Sequence, residues 1–310
     1  MYKKKITLFI CVAMLVSASC KKYDEYVKDY DFSAVYFGSQ KPLRTIVAYD
    51  EMSFKVGVTL SGKRENTKEE WVTYEIDPSL LDNTSFTLLP ESYYSISDNE
   101  RIVVPKGRFI GDVIVKLNRE AFTGDPLSTV NTYALPLRLK ETSADSILQG
   151  SIDEEGSVLV APKDYTILVV KYISPFHGTY YHKGVEQRLD NSGNVVETKK
   201  YSVKDLSKNQ TWDISTVSAN EILTSGAGTF SSQTNNPYRL NLVINADNTV
   251  TIAPVTGSKA IVQSGNGTYN EAKREFYLDY EFSVNSVNYK AVDTLVLRRA
   301  PELDLRFEEW

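Results

Sequence analysis

Apolar residues fall on every second position through much of the chain, and this pattern most restricts the fold. Phe54, Val56, Val58 and Leu60 alternate with polar neighbours and end at Ser61-Gly62. That period puts four side chains on one face of a half-buried strand. Trp71 to Ile76, Tyr93 to Ile96, Arg101 to Val104, Gly111 to Leu117, Tyr133 to Lys140 and Tyr165 to Ile173 read as further strands. The breaks between them, such as Asp77-Pro78, Pro105-Lys106-Gly107 and Gly124-Asp125-Pro126, are turn signals rather than helix caps. No stretch sustains apolar residues at helical spacing, so the chain is expected to be all-β. Leu135, Leu137 and Leu139 share a core face, and Pro136 between them, lacking an amide hydrogen, predicts an edge strand.

Seven strands at this spacing suit a β-sandwich over residues 32–174. The apolar run ending at Ser174-Pro175 marks a boundary, and the alternation restarts at Phe176. Tyr238, Leu240, Leu242 and Ile244 face one way, Ala246-Asp247-Asn248 turns, and Val250 and Ile252 return as a hairpin. With Phe276, Leu278, Tyr280 and Phe282 on another one-sided strand, residues 175–310 are expected to form a small antiparallel barrel, capped by Trp310.

Residues 1–19 have the layout of an export signal. Lys3, Lys4 and Lys5 precede the apolar run Ile6 to Val16, which is far short of the roughly 20 residues a spanning helix needs. Three small residues then lead to Cys20, a pattern resembling a bacterial lipoprotein signal in which Cys20 carries the lipid. Residues 20–31 read as a tether, and the acidic pair Asp24-Glu25 resembles the signal that sends such lipoproteins to the outer face of the outer membrane. Of the two cysteines, Cys11 leaves with the signal and Cys20 is lipidated, so the mature fold is expected to contain no disulfide. The formal charge of −5 becomes more acidic once the three leader lysines are lost, which argues against a nucleic-acid partner.

At Val35-Tyr36-Phe37-Gly38, Leu89-Pro90-Glu91-Ser92-Tyr93-Tyr94-Ser95-Ile96, Val104-Pro105-Lys106-Gly107 and Tyr133-Ala134-Leu135-Pro136-Leu137-Arg138-Leu139, the first half resembles the Bacteroidetes domain of unknown function 1735. The second half, from Lys171-Tyr172-Ile173-Ser174-Pro175-Phe176-His177-Gly178-Thr179-Tyr180 to Thr294-Leu295-Val296-Leu297-Arg298-Arg299, resembles domain of unknown function 4361. The resemblance implies an immunoglobulin-like β-sandwich followed by a lipocalin-like antiparallel β-barrel. It also implies an accessory lipoprotein of a glycan-uptake system, with an outer-membrane transporter complex as partner. By analogy with lipocalin-like barrels, an arginine of the last strand, Arg298 or Arg299, is expected to lie over Tyr180 as a cation-π partner.

Chemistry-bearing patterns are sparse. His177 and His182 are the only histidines, and five residues apart on a strand they would face opposite ways, so a shared metal is not expected. No nucleophile elbow, zinc-type spacing or phosphate-cradling loop occurs, and neither an enzymatic role nor a cofactor is expected. Sugar rings stack on aromatic faces, which makes Trp212, beside Gln210 and Asp213, and Tyr238, after Asn235-Asn236-Pro237, the leading glycan-binding candidates, with Tyr181 and Tyr277 behind them. The alternatives are an adhesin or structural envelope protein, favoured by a large exposed apolar patch, and a glycan hydrolase, which needs two facing carboxylates.

Overall fold

A computed structural model describes residues 32–49, 51–232 and 237–310. Cys20, the signal and the tether lie outside the described residues. The protein is all-β: two packed sheets form the first half and a closed eight-stranded antiparallel barrel the second.

The alternation in Ser53–Ser61 is realised as expected. Phe54, Val56, Val58 and Leu60 are buried, while Lys55 faces out. This strand pairs antiparallel with Ile110–Leu117, whose buried positions Gly111, Val113, Val115 and Leu117 have the same period. Together with Ala34–Phe37, Ser146–Ile147 and Tyr94–Ile96 they make a five-stranded sheet. The facing sheet runs Glu308–Glu309, Pro42–Val47, Tyr165–Ile173, Tyr133–Thr142, Glu70–Ile76, Arg101–Val104. Val35, Phe37, Val58, Val72, Ile102, Val115, Leu135, Leu137, Leu168 and Val170 fill the space between the sheets. Fully burying each such side chain contributes roughly 1.5–3 kcal/mol.

Pro136 departs from expectation, because Tyr133–Thr142 is an interior strand flanked by Tyr165–Ile173 and Glu70–Ile76. The Pro136 carbonyl accepts from the Asp77 amide (3.1 Å), so the proline nitrogen faces the same side, where Glu70–Ile76 has already ended. The missing donor therefore costs no ladder bond.

In the second half, Gly178–Leu189 pairs with Gln210–Ser218 on one side and Val287–Leu297 on the other, closing the barrel. The eight barrel strands are neighbours in chain order; Val195–Tyr201 pairs only with Gly178–Leu189, and Gly226–Ala227 and Phe230–Ser231 form a separate two-stranded ribbon. The predicted hairpin appears as Asn241–Ile244 and Thr249–Ala253, with Asn248 in the left-handed region at φ 63°. Tyr180, Trp212, Ile214, Leu242, Phe276, Leu278, Tyr280 and Phe282 pack the interior, so the barrel is filled by its own side chains.

Trp310 does not cap the barrel. After the short helix Pro301–Asp304 the chain returns to the sandwich, where Glu308–Glu309 pairs with Pro42 and Leu43. Trp310 Nε1 donates to the Ile167 carbonyl (2.7 Å), and its ring meets Phe86 edge-on at 4.7 Å. Alternation within the barrel strands says nothing about where a segment beyond them docks.

Candidate functional site

The domain junction is hydrogen-bonded rather than loose. Ser174 is fully buried; its amide donates to Thr216 Oγ1 (2.9 Å) and its hydroxyl to the Ala219 carbonyl (2.9 Å). Beside this junction lies a cleft of about 960 Å³, lined from the sandwich by Tyr49 and Glu51 and from the barrel by Asn220, Asn245, Asn248, Tyr269, Glu271 and Arg274, among others.

Local structure explains each placement. The turn Asn245–Asn248 brings two asparagines to the cleft wall; Asn245 Nδ2 donates to Thr249 Oγ1 (2.9 Å), and the left-handed Asn248 offers its carbonyl to the Tyr269 amide (2.8 Å). Arg274 sits in a second left-handed turn, at φ 54°. Its guanidinium bonds Glu302 Oε1 (3.1 Å) and reaches the Tyr49 hydroxyl (3.4 Å), while Tyr49 donates to Glu302 Oε2 (3.1 Å). Barrel, returning segment and sandwich thus meet in one three-residue contact. The Tyr269 ring is fixed by Phe176 (4.8 Å, edge-on) and Phe276 (4.7 Å, tilted). Burial raises its hydroxyl to about 12 against the opposing pull of Arg274. Burial also raises the Tyr49 hydroxyl, helped by Glu302, so both tyrosines remain neutral donors at physiological pH. Burial opposes ionisation of Glu302, but its own amide, Arg274 and Tyr49 hold it below the ordinary carboxylate value. Aromatic faces, side-chain amides and a fixed arginine converge on a concave surface, an arrangement suited to a polyhydroxylated ligand.

The residues singled out from sequence lie elsewhere. Trp212 is 1% exposed and stacks on His182 at 3.7 Å inside the barrel, so it has no face for a ligand. Tyr238 is half-buried against Phe230 (5.2 Å), and Asn235 and Asn236 beside it lie outside the described residues. Tyr181 and Tyr277 are on the outer face of the barrel, flanking Val287–Leu297; the Tyr277 hydroxyl bonds Glu275. The proposed cation-π pair is absent. Tyr180 is fully buried against Phe276 and lies opposite Leu297, which leaves Arg298 and Arg299 exposed. The arginine whose charge acts on Tyr180 is Arg274.

His177 and His182 do not share a site. His177 Nδ1 contacts Thr216 Oγ1 (3.2 Å) at the junction, and burial lowers its pKa. His182 is buried, its Nε2 3.0 Å from Asp293 Oδ1. Tyr280 donates to Asp293 Oδ2 (2.6 Å), Tyr201 bonds Oδ1, and the nearby Glu186 accepts from the amide (2.8 Å) and hydroxyl (2.9 Å) of Thr229. This internal network ties barrel strands together and has no open face. Among the described residues no group of three or more metal-ligating side chains occurs.

Sequence reading missed Tyr49, Asn220, Asn245, Tyr269 and Arg274 because the cleft assembles from separate segments. The one local signal was the Ala246-Asp247-Asn248 turn, visible as a turn but not as a wall.

These features describe a two-domain all-β protein with an interdomain cleft, and its fold is similar to that of a solved Bacteroides structure. Residues 29–146 match a family model described as a "-like, N-terminal domain", and residues 175–300 match the domain of unknown function DUF5627. The second match replaces the expected likeness to domain of unknown function 4361. A crystal structure of a Bacteroides ovatus protein of unknown function superposes with a TM-score of 0.74 at 25% identity, covering 87% of this chain and 95% of that one. A Bacteroides ovatus multidomain protein including DUF1735 gives a TM-score of 0.42 at 12% identity, over 90% of this chain and 100% of that one. An auxiliary nutrient binding protein from Bacteroides thetaiotaomicron gives 0.37 at 15% identity, over 82% and 90%. No curated protein matches the chain.

Proposed function

We propose that the protein is a glycan-binding accessory lipoprotein, anchored through Cys20 at the outer face of the outer membrane, whose ligand occupies the interdomain cleft. The observation that carries this reading is the convergence of Tyr49, Tyr269, Asn220, Asn245 and Arg274 on one concave surface. The test is a glycan array with the solubilised full chain. Tyr49→Ala is expected to weaken the bound glycan at least about tenfold, or roughly 1.4 kcal/mol. No binding by the wild type, or an unchanged affinity after Tyr49→Ala, rejects the cleft. For the anchor, Cys20→Ala is expected to release the protein from the membrane fraction; a variant that stays membrane-bound and unprocessed defeats it.

One observation favours contact with a protein partner, such as an outer-membrane transporter, as a second reading. The hairpin of Ser151–Ile152 and Val158–Val160 exposes Ile152, Val158, Leu159 and Val160, each more than half accessible. An isolated two-stranded ribbon buries almost nothing by itself. Replacing residues 151–160 by a short turn should leave glycan binding intact while ending co-purification with the transporter.

A further inference from the structure

A second concave site lies in the sandwich, away from the domain junction, and is built around an arginine in an apolar position. Pro42–Val47 alternates between two layers: Leu43 packs on the outer cluster with Ile167 and Val169, and Ile46 packs on the inter-sheet core. Arg44 shares the inward side with Ile46 and stands in register with Val170, which is fully buried. A period-two strand would place an apolar side chain there. Instead the guanidinium enters a groove of about 360 Å³ floored by Phe37, Val56, Val58 and Leu168. The groove exists because only the two-residue strand Glu308–Glu309 extends the sheet beyond Pro42–Val47, leaving the sandwich open at that edge.

The charges around Arg44 are one-sided. Lys55 also lines the groove, but Asp112 neutralises it at 3.0 Å. Among the described residues no carboxylate lines the groove; the nearby Glu309 accepts from the Ser39 hydroxyl (2.7 Å). Among the described residues no carboxylate pairs with the Arg44 guanidinium, and its central carbon lies 5.6 Å from the centre of the Phe307 ring. Burial pulls the guanidinium below its ordinary value with no acidic neighbour to counter it. A partly desolvated cation without a counter-ion is costly, and the cost falls when an anion arrives. A contact with the Phe307 ring uses none of the guanidinium's N–H groups, so its in-plane edges stay available for bidentate pairing.

We propose that this groove binds a small organic carboxylate, its acid paired with Arg44 and its apolar part lying on Val56, Val58 and Leu168 beneath Phe307. Phe307 is 63% exposed, so it forms a cover that can shift without disturbing the core. The site does not depend on the reading of the interdomain cleft.

The probes are benzoate and its neutral isostere benzamide, titrated into the full-length protein by calorimetry and by chemical shift of the aromatic signals. Benzoate is expected to bind and to shift the Phe307 resonances, with benzamide at least about tenfold weaker, the scale of a charge-assisted hydrogen bond. Arg44→Gln should weaken benzoate by about the same factor, and Arg44→Lys should restore part of the loss by keeping the charge without the planar fork. Phe307→Ala, at an exposed position, should weaken benzoate several-fold in a folded protein, which keeps the test valid if Arg44→Gln does not fold. Equal binding of the two probes, no binding of either, or benzoate affinity untouched by both Arg44→Gln and Phe307→Ala overturns the proposal.

Discussion

At the scale of single residues, the barrel interior contains ionisable groups that the alternation pattern alone would have filled with hydrocarbon. Glu186 is 5% exposed, and its carboxylate is fixed by both donors of Thr229. Burial raises its pKa; Thr229 and Lys199 pull the other way, and the Asp293 charge adds to the rise. A carboxyl raised in the fold binds its proton more tightly there than in the unfolded chain. Its favourable contribution is therefore complete below the unfolded value and is lost as pH rises through the folded value. Glu186→Gln keeps an acceptor for Thr229 and removes the charge. The variant should match the wild type near pH 4 and exceed it in melting temperature at pH 8, by an amount equivalent to roughly 1 kcal/mol. Thermal melts across that range check this, and parallel pH profiles for the two proteins would contradict the assignment. The sequence shows Glu186 only as a charged residue in a strand; its burial follows from barrel closure, because Gly178–Leu189 is paired on both sides.

At the scale of elements, the strands were legible wherever one face meets a core, as in Ser53–Ser61 and Glu275–Val284, because burial itself imposes the period. Strand order and sheet corners were not legible, since they depend on residues far apart in sequence. Gly111 illustrates the difference. It reads as an ordinary start to the strand Ile110–Leu117, yet a Cβ there would lie 2.2 Å from the Val103 carbonyl oxygen, where the chain passes from one sheet to the other. Gly38, by contrast, has open space where its Cβ would be. Gly111→Ala should therefore cost about 1–3 kcal/mol through backbone displacement, and Gly38→Ala should be neutral or slightly stabilising, by up to about 1 kcal/mol. Urea titrations of the two variants separate the effects; a harmless alanine at 111 would mean that the sheet corner is looser than its geometry implies. The candidate cleft escaped the sequence for the same reason as the corner. Tyr49, Asn245 and Arg274 sit in turns of three different segments, and no spacing rule relates them.

At the scale of the whole molecule, the segment beyond the barrel makes the two domains mechanically dependent. It leaves the barrel at Val287–Leu297, places Glu302 between Arg274 and Tyr49, then adds Glu308–Glu309 to the sandwich and anchors Trp310 over Ile167. The Trp310 indole is held on three sides: by the Ile167 carbonyl at 2.7 Å, by the Phe86 edge at 4.7 Å and by the Lys41 ammonium at 5.0 Å. Together with the Ser174 junction, this segment ties the sandwich to the barrel at two points, and two attachments fix an angle where one would leave a hinge. Domains coupled in this way are expected to unfold together. Trp310→Ala removes the indole hydrogen bond and the aromatic contact, at a cost of about 2–3 kcal/mol for a half-buried ring, below the range for a fully buried one. The loss falls on the sandwich edge alone, so calorimetry should show the single transition of the wild type broadening or splitting. Amide exchange should accelerate in Pro42–Val47 before it does in the barrel strands. On the proposed reading of the cleft, glycan affinity should fall as well, because Tyr49 and Arg274 belong to different domains and are held opposite each other through Glu302. Unchanged exchange in Pro42–Val47, together with a superimposable melt, would mean that Ser174 alone sets the interdomain geometry and that the returning segment is a passenger.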